Sequence, residues 1–92
     1  MYKRSVLPSS RFVKKLKKAS DDKRNLILAA IDKFRKGEDA SLRIHKLHGV
    51  YNGYWSFDAD YDLRVIYSIN KTGIATIHGL ENFGTHKELY GI

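Results

Sequence analysis

The residues able to do chemistry crowd into one stretch, His45 to Tyr67, HKLHGVYNGYWSFDADYDLRVIY. It holds two of the chain's four histidines, its only tryptophan, four of its six tyrosines and an arginine set in a strand-like run. Imidazoles titrate near neutral pH and suit proton transfer, and a guanidinium can hold two phosphate oxygens at once. With Asp58 and Asp62 nearby, His45, His48 and Arg64 are the materials of a polar active site. His86 stands further on, after another strand-like run. Thr85 and Glu88 can cap the turn it occupies, where backbone N–H groups favour a phosphate. Plainer roles compete with each of these. Arg64 alone reads as an ion-pair partner for Asp58 or Asp62, and His78, in mid-strand, as an ordinary surface residue. The run Asp58-Ala59-Asp60-Tyr61-Asp62 imitates the start of a calcium loop. It has Leu63 where such a loop needs glycine and Ile69 where it needs glutamate, so that role is excluded. His45 and His48 without a thiol make a poor metal pair, and neither a metal site nor a cofactor is expected.

Period-2 alternation shows how these residues are held. Trp55 and Phe57 point one way and Tyr54, Ser56 and Asp58 the other. Leu63, Val65, Tyr67 and Ile69 then alternate with Arg64, Ile66 and Ser68. Two such runs joined by Asp60 and Tyr61 read as an antiparallel hairpin with one face on a core and the other wet, leaving Asp58 and Arg64 neighbours on a surface. Upstream, Tyr2 to Leu7 is a short strand that Pro8 stops, and Ser9 or Ser10 can cap a helix. Phe12, Val13, Leu16 and Ala19 form that helix's apolar stripe, with Arg11, Lys14, Lys15, Lys17 and Lys18 around it. Ser20-Asp21-Asp22 begins a second helix marked by Leu26, Ile27, Ala30, Ile31 and Phe34, with Gly37 at its end. Residues 38–48 connect, with Leu42, Ile44 and Leu47 tucked under. Asn70 to Gly73 is a turn and Ile74 to Leu80 a third strand. The expected fold is α+β: an N-terminal strand, then a helical hairpin packed on an antiparallel sheet, in the order β-α-α-β-β-β.

Ninety-two residues, 42% of them hydrophobic, predict one globular domain over 1–92. There is no cysteine, so disulfides and thiolate zinc sites are excluded. Apolar runs are too short for a bilayer and the N-terminus has no apolar signal region, so a cytoplasmic protein is expected. The net charge of +7 is lopsided: residues 1–36 carry twelve Lys/Arg against three Asp, and residues 37–92 five against seven Asp/Glu. So concentrated a positive field favours RNA, DNA or an acidic protein as partner.

The order of these motifs carries a resemblance over essentially the whole chain. His45-Lys46-Leu47-His48-Gly49 precedes Gly53-Tyr54. Asp62-Leu63-Arg64-Val65-Ile66-Tyr67 follows, then Gly84-Thr85-His86 and, at the end, Leu89-Tyr90-Gly91. The chain resembles the RelE/ParE superfamily of bacterial type II toxins, and among them the YafQ-like mRNA interferases. The resemblance implies a RelE-like fold, cleavage of mRNA in the ribosomal A site, and inhibition by a cognate antitoxin. It also implies site residues. His45 matches the loop histidine, Asp62 the strand aspartate, His86 the histidine of the G-T-H motif, Tyr90 the C-terminal aromatic and Arg64 the strand arginine of the RelE-like branch. Where the YafQ-like branch carries a further histidine on the first hairpin strand, this chain has Asp58.

RNA cleavage through the 2′-OH needs a base for the hydroxyl proton, an acid for the 5′-oxygen and a cation for the phosphate, and no metal. Arg64 suits the phosphate, His86 the acid or a phosphate contact, and His45 or Asp62 the base. Tyr90 suits stacking on a base or orienting the nucleophile. Lys14, Lys15, Lys17, Lys18, Arg43 and Lys46 are the residues expected to grip ribosomal or messenger RNA. Two other functions fit the same chain: a ParE-like gyrase inhibitor, which needs no acid/base set, and a nucleic-acid-binding module without chemistry.

Overall fold

Ser9 starts the helical hairpin with its side chain. In a computed structural model that describes residues 3–60 and 63–82, its Oγ accepts from the Phe12 N–H and caps helix α1, Ser10–Lys18. Ser20 does the same for α2, Asp21–Lys36, accepting from the Lys23 N–H. Asp21 and Asp22 lie at the positive end of that helix and Lys33, Arg35 and Lys36 at its negative end. Gly37 closes α2 with φ of 78°, a left-handed conformation that glycine adopts without penalty. A side chain at that position would also press on the Lys3 stem, since a Cβ would lie 2.9 Å from Lys3 Cδ.

Among the described residues the sheet has five strands: β1 (Val6–Pro8), β2 (His45–Lys46), β3 (Trp55–Asp60), β4 (Leu63–Ile69) and β5 (Ala75–Asn82), in spatial order β1-β5-β4-β3-β2. The hairpin of helices on a sheet is as the sequence predicts. The sheet has one more strand than expected, the two residues of β2, too short to show any periodicity. It is also mixed: β2 to β5 pair antiparallel, whereas β1 runs parallel to β5. Pro8, which cannot donate to a ladder, ends β1 on the sheet's edge.

Both helices bury their apolar residues on one face of this sheet. The core gathers Phe12 from α1, Ile27, Ala30 and Phe34 from α2, Leu42 from the connection, and Phe57, Leu63, Val65, Tyr67, Ala75 and Ile77 from the strands. At its centre Phe34 stacks on Phe57 at 4.7 Å and meets Tyr67 at 4.8 Å. Leu26, assigned by spacing to the stripe of α2, is instead 41% exposed, because the core side of α2 is set by Ile27, Ala30 and Phe34. Ile69 continues the alternation of β4 but is 53% exposed where the strand leaves the sheet.

Arg4 ties the N-terminal segment to the far end of α2. Its guanidinium donates to the Phe34 carbonyl at 2.8 Å and forks onto both Asp39 oxygens at 2.7 and 2.8 Å. Its carbon centre lies 4.4 Å from the Phe34 ring centroid. The hydrogen bonds from Arg4 hold the Asp39 carboxyl below its usual range, and burial pushes the Tyr67 phenol up to about 12.

Two stability experiments follow. Phe34→Ala should remove about 3–5 kcal/mol, read as a fall in the urea midpoint at unchanged slope. Asp39 is depressed in the folded state, so its contribution is full above the unfolded carboxylate value near 4 and disappears as pH falls through the lower folded value. The exposure of both partners limits it to about 1 kcal/mol. Melting temperatures of the wild type and Arg4→Ala should therefore differ at neutral pH and converge in acid. Tyr67 acts in the opposite direction: its contribution persists below about pH 10 and is lost as pH rises through about 12.

Candidate active site

Because Phe57, Val65 and Tyr67 face the helices, their neighbours Ser56, Asp58, Arg64 and Ile66 must face the other way. The ladder aligns them in two rows across that second face. His45, Ser56, Ile66 and Gly79 are successive register partners through β2, β3, β4 and β5, and Asp58 lies opposite Arg64. Beyond Asp58 the β3–β4 register shifts before Asp60, a bulge of the kind that re-aims side chains beside functional sites.

His45 is held from its backbone side. Its Nδ1 lies 2.8 Å from the Arg43 carbonyl, and only an N–H can bond to a carbonyl. The neutral ring therefore carries its proton on Nδ1, and Nε2 keeps the lone pair. That nitrogen lies 3.4 Å from the hydroxyl of Ser56, a side chain fully buried beneath it. Arg43 aims its carbonyl from a left-handed backbone, φ 51°, at a cost of about 1–2 kcal/mol for a non-glycine residue. Buried Leu42 on one side and Ile44 against the core on the other hold it there, and the Asp58 N–H donates to the Leu42 carbonyl at 2.6 Å.

Arg64 and Asp58 are neighbours, as expected, but they do not lie on an open surface. Their side chains are 11% and 15% exposed, with Arg64 Nε 3.4 Å from Asp58 Oδ1. The face expected to stay wet is partly roofed: Leu47 packs on Ile66, and Tyr51 and Tyr54 from around a short 3₁₀ turn (Gly49–Tyr51) pack on both. A charge pair this sheltered is costly to break, because either partner alone would remain as a buried charge.

The other expected residues are distributed unevenly. Asp62, His86 and Tyr90 lie outside the described residues, as does the Thr85–Glu88 cap. Lys14, Lys15, Lys17 and Lys18 are exposed along α1. Of these, Lys15 borders the hollow on the second sheet face, together with Arg11. Arg43 is exposed beside His45. Lys46 faces the helix side, with Nζ 5.4 Å from the Trp55 ring centroid, and does not join His45. His48 is exposed at the start of the 3₁₀ turn, away from any ligand set. The sequence assigned no role to Tyr51 or Tyr54 and read His78 as an ordinary surface residue. All three line the hollow, and the signal available was the density of rings between residues 45 and 67. Among the described residues no helix is long and apolar enough to cross a membrane.

A helical hairpin packed on one face of a small mixed sheet is an α+β fold of the RelE kind. Residues 4–91 match the family described as bacterial toxin of type II toxin-antitoxin system, YafQ, and the chain belongs to that family. Among solved structures it is similar to a chain of the archaeal RelE–RelB complex from Pyrococcus horikoshii OT3, 24% identical over 88% of this chain and 96% of that one, TM-score 0.69. It is similar also to YafQ from E. coli strain BL21(DE3), 19% identical over 88% and 94%, TM-score 0.63. A chain of the E. coli DinJ–YafQ toxin–antitoxin complex matches at 18% identity over 84% and 89%, TM-score 0.64. No curated protein sequence matches the chain.

The geometry at His45 makes a spectroscopic prediction. Long-range proton–nitrogen correlation spectra above the imidazole's titration should show the Nδ1–H form of His45. An Nε2–H spectrum would mean that the Arg43 carbonyl does not set the tautomer.

Proposed function

We propose that this chain is a ribosome-dependent mRNA endonuclease that cleaves through the 2′-OH. The observation that carries this reading is the orientation of His45. Its Nδ1–H is committed to the Arg43 carbonyl, and its Nε2 lone pair is held on the sheet face that carries Arg64 and Asp58. His45 Nε2 takes the 2′-OH proton, and the freed oxygen attacks the adjacent phosphorus in line. The 5′-oxygen leaves, and the products are a 2′,3′-cyclic phosphate and a 5′-hydroxyl. Arg64 holds the phosphate oxygens as their charge grows, while Asp58 fixes the guanidinium from the Nε side. By family pattern His86 supplies the leaving-group proton or a phosphate contact, Asp62 shares the base role, and Tyr90 stacks on or orients the nucleotide. Lys14, Lys15, Lys17, Lys18 and Arg43 carry the charge that holds the protein on ribosomal RNA, weakening as salt rises. An acidic antitoxin protein is the inhibitor, as the complexes of similar toxins with RelB and DinJ suggest.

Primer extension after induced expression tests this reading. A translated reporter should be cut, and the same reporter without its start codon should survive. Equal cleavage of both would overturn ribosome dependence, and DNA damage without cleavage would mark a gyrase inhibitor instead. On programmed ribosomes His45→Ala should slow cleavage by about 10²–10⁴ while melting within a degree or two of wild type, because His45 is exposed. Arg64→Lys keeps the charge beside Asp58 and loses the fork. It should lose rate with little loss of stability, whereas Arg64→Ala should lose both.

A further inference from the structure

One part of the second sheet face takes no part in the proton transfers above. Between the start of α1 and the 3₁₀ turn lies a hollow of about 430 Å³, lined by Arg11, Tyr51, Tyr54, Ile66, His78 and Gly79 among others. That size falls within the range of ligand pockets. Three details show that the hollow is built rather than left over.

The first is a bulge. Ile66 pairs with Gly79 but the next residue, Tyr67, pairs with Ile77, so His78 has no register partner on β4. The extra residue brings both His78 and Gly79 to the hollow, the local effect expected of a bulge. The second is the setting of the rings. His78 Nε2 and Ser68 Oγ are 2.6 Å apart, which fixes the imidazole. Tyr54 meets His78 at 5.2 Å and 88°, and Tyr51 meets Tyr54 at 6.4 Å and 82°. Set edge to face, the three rings make angled walls rather than a closed stack. The third is Gly79. Its φ is not positive, and among the described residues a Cβ there would meet nothing within 4 Å. Neither the backbone nor the packing of those residues requires glycine at this point in the middle of β5. What its missing side chain leaves is open floor, as at strand positions approached closely by a ligand.

We propose that this hollow receives the base of the mRNA nucleotide adjoining the scissile phosphate and sets the base preference of cleavage. The proposal rests on the reading of the chain as an mRNA nuclease. Ile66 follows Arg64 by two residues on the same face of β4, a separation of about 7 Å, so a nucleotide next to the phosphate held at Arg64 reaches the hollow. Unstacked RNA bases are recognised by aromatic side chains and by polar groups at their edges. Tyr51, Tyr54 and His78 supply the first, and the imidazole supplies the second. Arg11 at the rim suits the neighbouring phosphate.

The test pairs direct binding with cleavage. Purified wild-type chain is titrated with a trinucleotide RNA made uncleavable by a 2′-deoxy sugar at the central position, and the ring signals of His78 and Tyr54 are followed by NMR. They should move and saturate, and Gly79→Leu, which fills the floor, should abolish the movement. On programmed ribosomes Gly79→Leu should raise KM about tenfold, the scale of one lost base stack. It should also flatten the preference among the four bases beside the cut. Ring signals that stay still would overturn the proposal, as would a folded Gly79→Leu with wild-type KM and preference. Loss of antitoxin affinity alone in that variant would overturn it in favour of a protein occupant. If Gly79→Leu does not fold, the wild-type titration and His78→Gln decide. If wild type cuts no translated mRNA but the trinucleotide still moves both rings, the nuclease reading falls and the nucleotide site stands.

Discussion

The packing of Phe34 between the rings of Phe57 and Tyr67 decides where everything else points. In a strand the side chains alternate strictly, so burying Phe57, Val65 and Tyr67 under α2 fixes Ser56, Asp58, Arg64 and Ile66 on the far face. A slip of one residue in either strand would exchange the two sets and put a carboxylate and a guanidinium under the helices. The cost of that exchange far exceeds any single contact within the site. The hydrophobic core therefore does more than stabilise the protein: it specifies which groups can act together.

Electrostatics divides the molecule differently. The lysines of α1 are exposed, and their summed charge acts at long range as a field. Arg64 and Asp58 are sheltered and held in register, and their charges are felt strongly only by what enters the face between them. Arg11 and Lys15 link the two regimes, because their turn of α1 borders the hollow. On the proposed reading, a polyanion drawn in by the helix arrives at the edge of the ordered groups.

Much of this was legible in the sequence, for reasons that can be stated residue by residue. Ser9, Ser20 and Gly37 mark helix ends because capping chemistry is local. Trp55 to Asp58 and Leu63 to Tyr67 declare their two faces because each run alternates without a break. Other features depend on contacts between distant parts of the chain. Arg4 and Asp39 are 35 residues apart, and nothing in either neighbourhood announces the pairing. The two-residue β2 exists only because Ser56 and Trp55 offer it an edge. The bulge at His78 is invisible to period-2 counting, and so a histidine that looked like an ordinary surface residue lines a cleft. Leu47, Tyr51 and Tyr54 roof a face that alternation alone calls wet, because a strand's pattern says nothing of the loop that folds back over it. Three of the five candidate catalytic residues, Asp62, His86 and Tyr90, remain assigned by family pattern.

The parallel pairing of β1 with β5 has a bearing on synthesis. Among the described residues Val6, Leu7 and Pro8 pair with Ala75, Thr76 and Ile77, so an early strand waits for a late one. Closing so long a loop is slow compared with forming the helical hairpin or the β3–β4 ladder. A growing chain can assemble those local parts while its N-terminal edge stays open. Until β5 joins, the site face also lacks one side, since His78 and Gly79 arrive with that strand. A fragment released before β5 would carry the oriented histidine and the basic helix but only half a cleft, so the order of synthesis itself delays the assembly of this face until β5 is made.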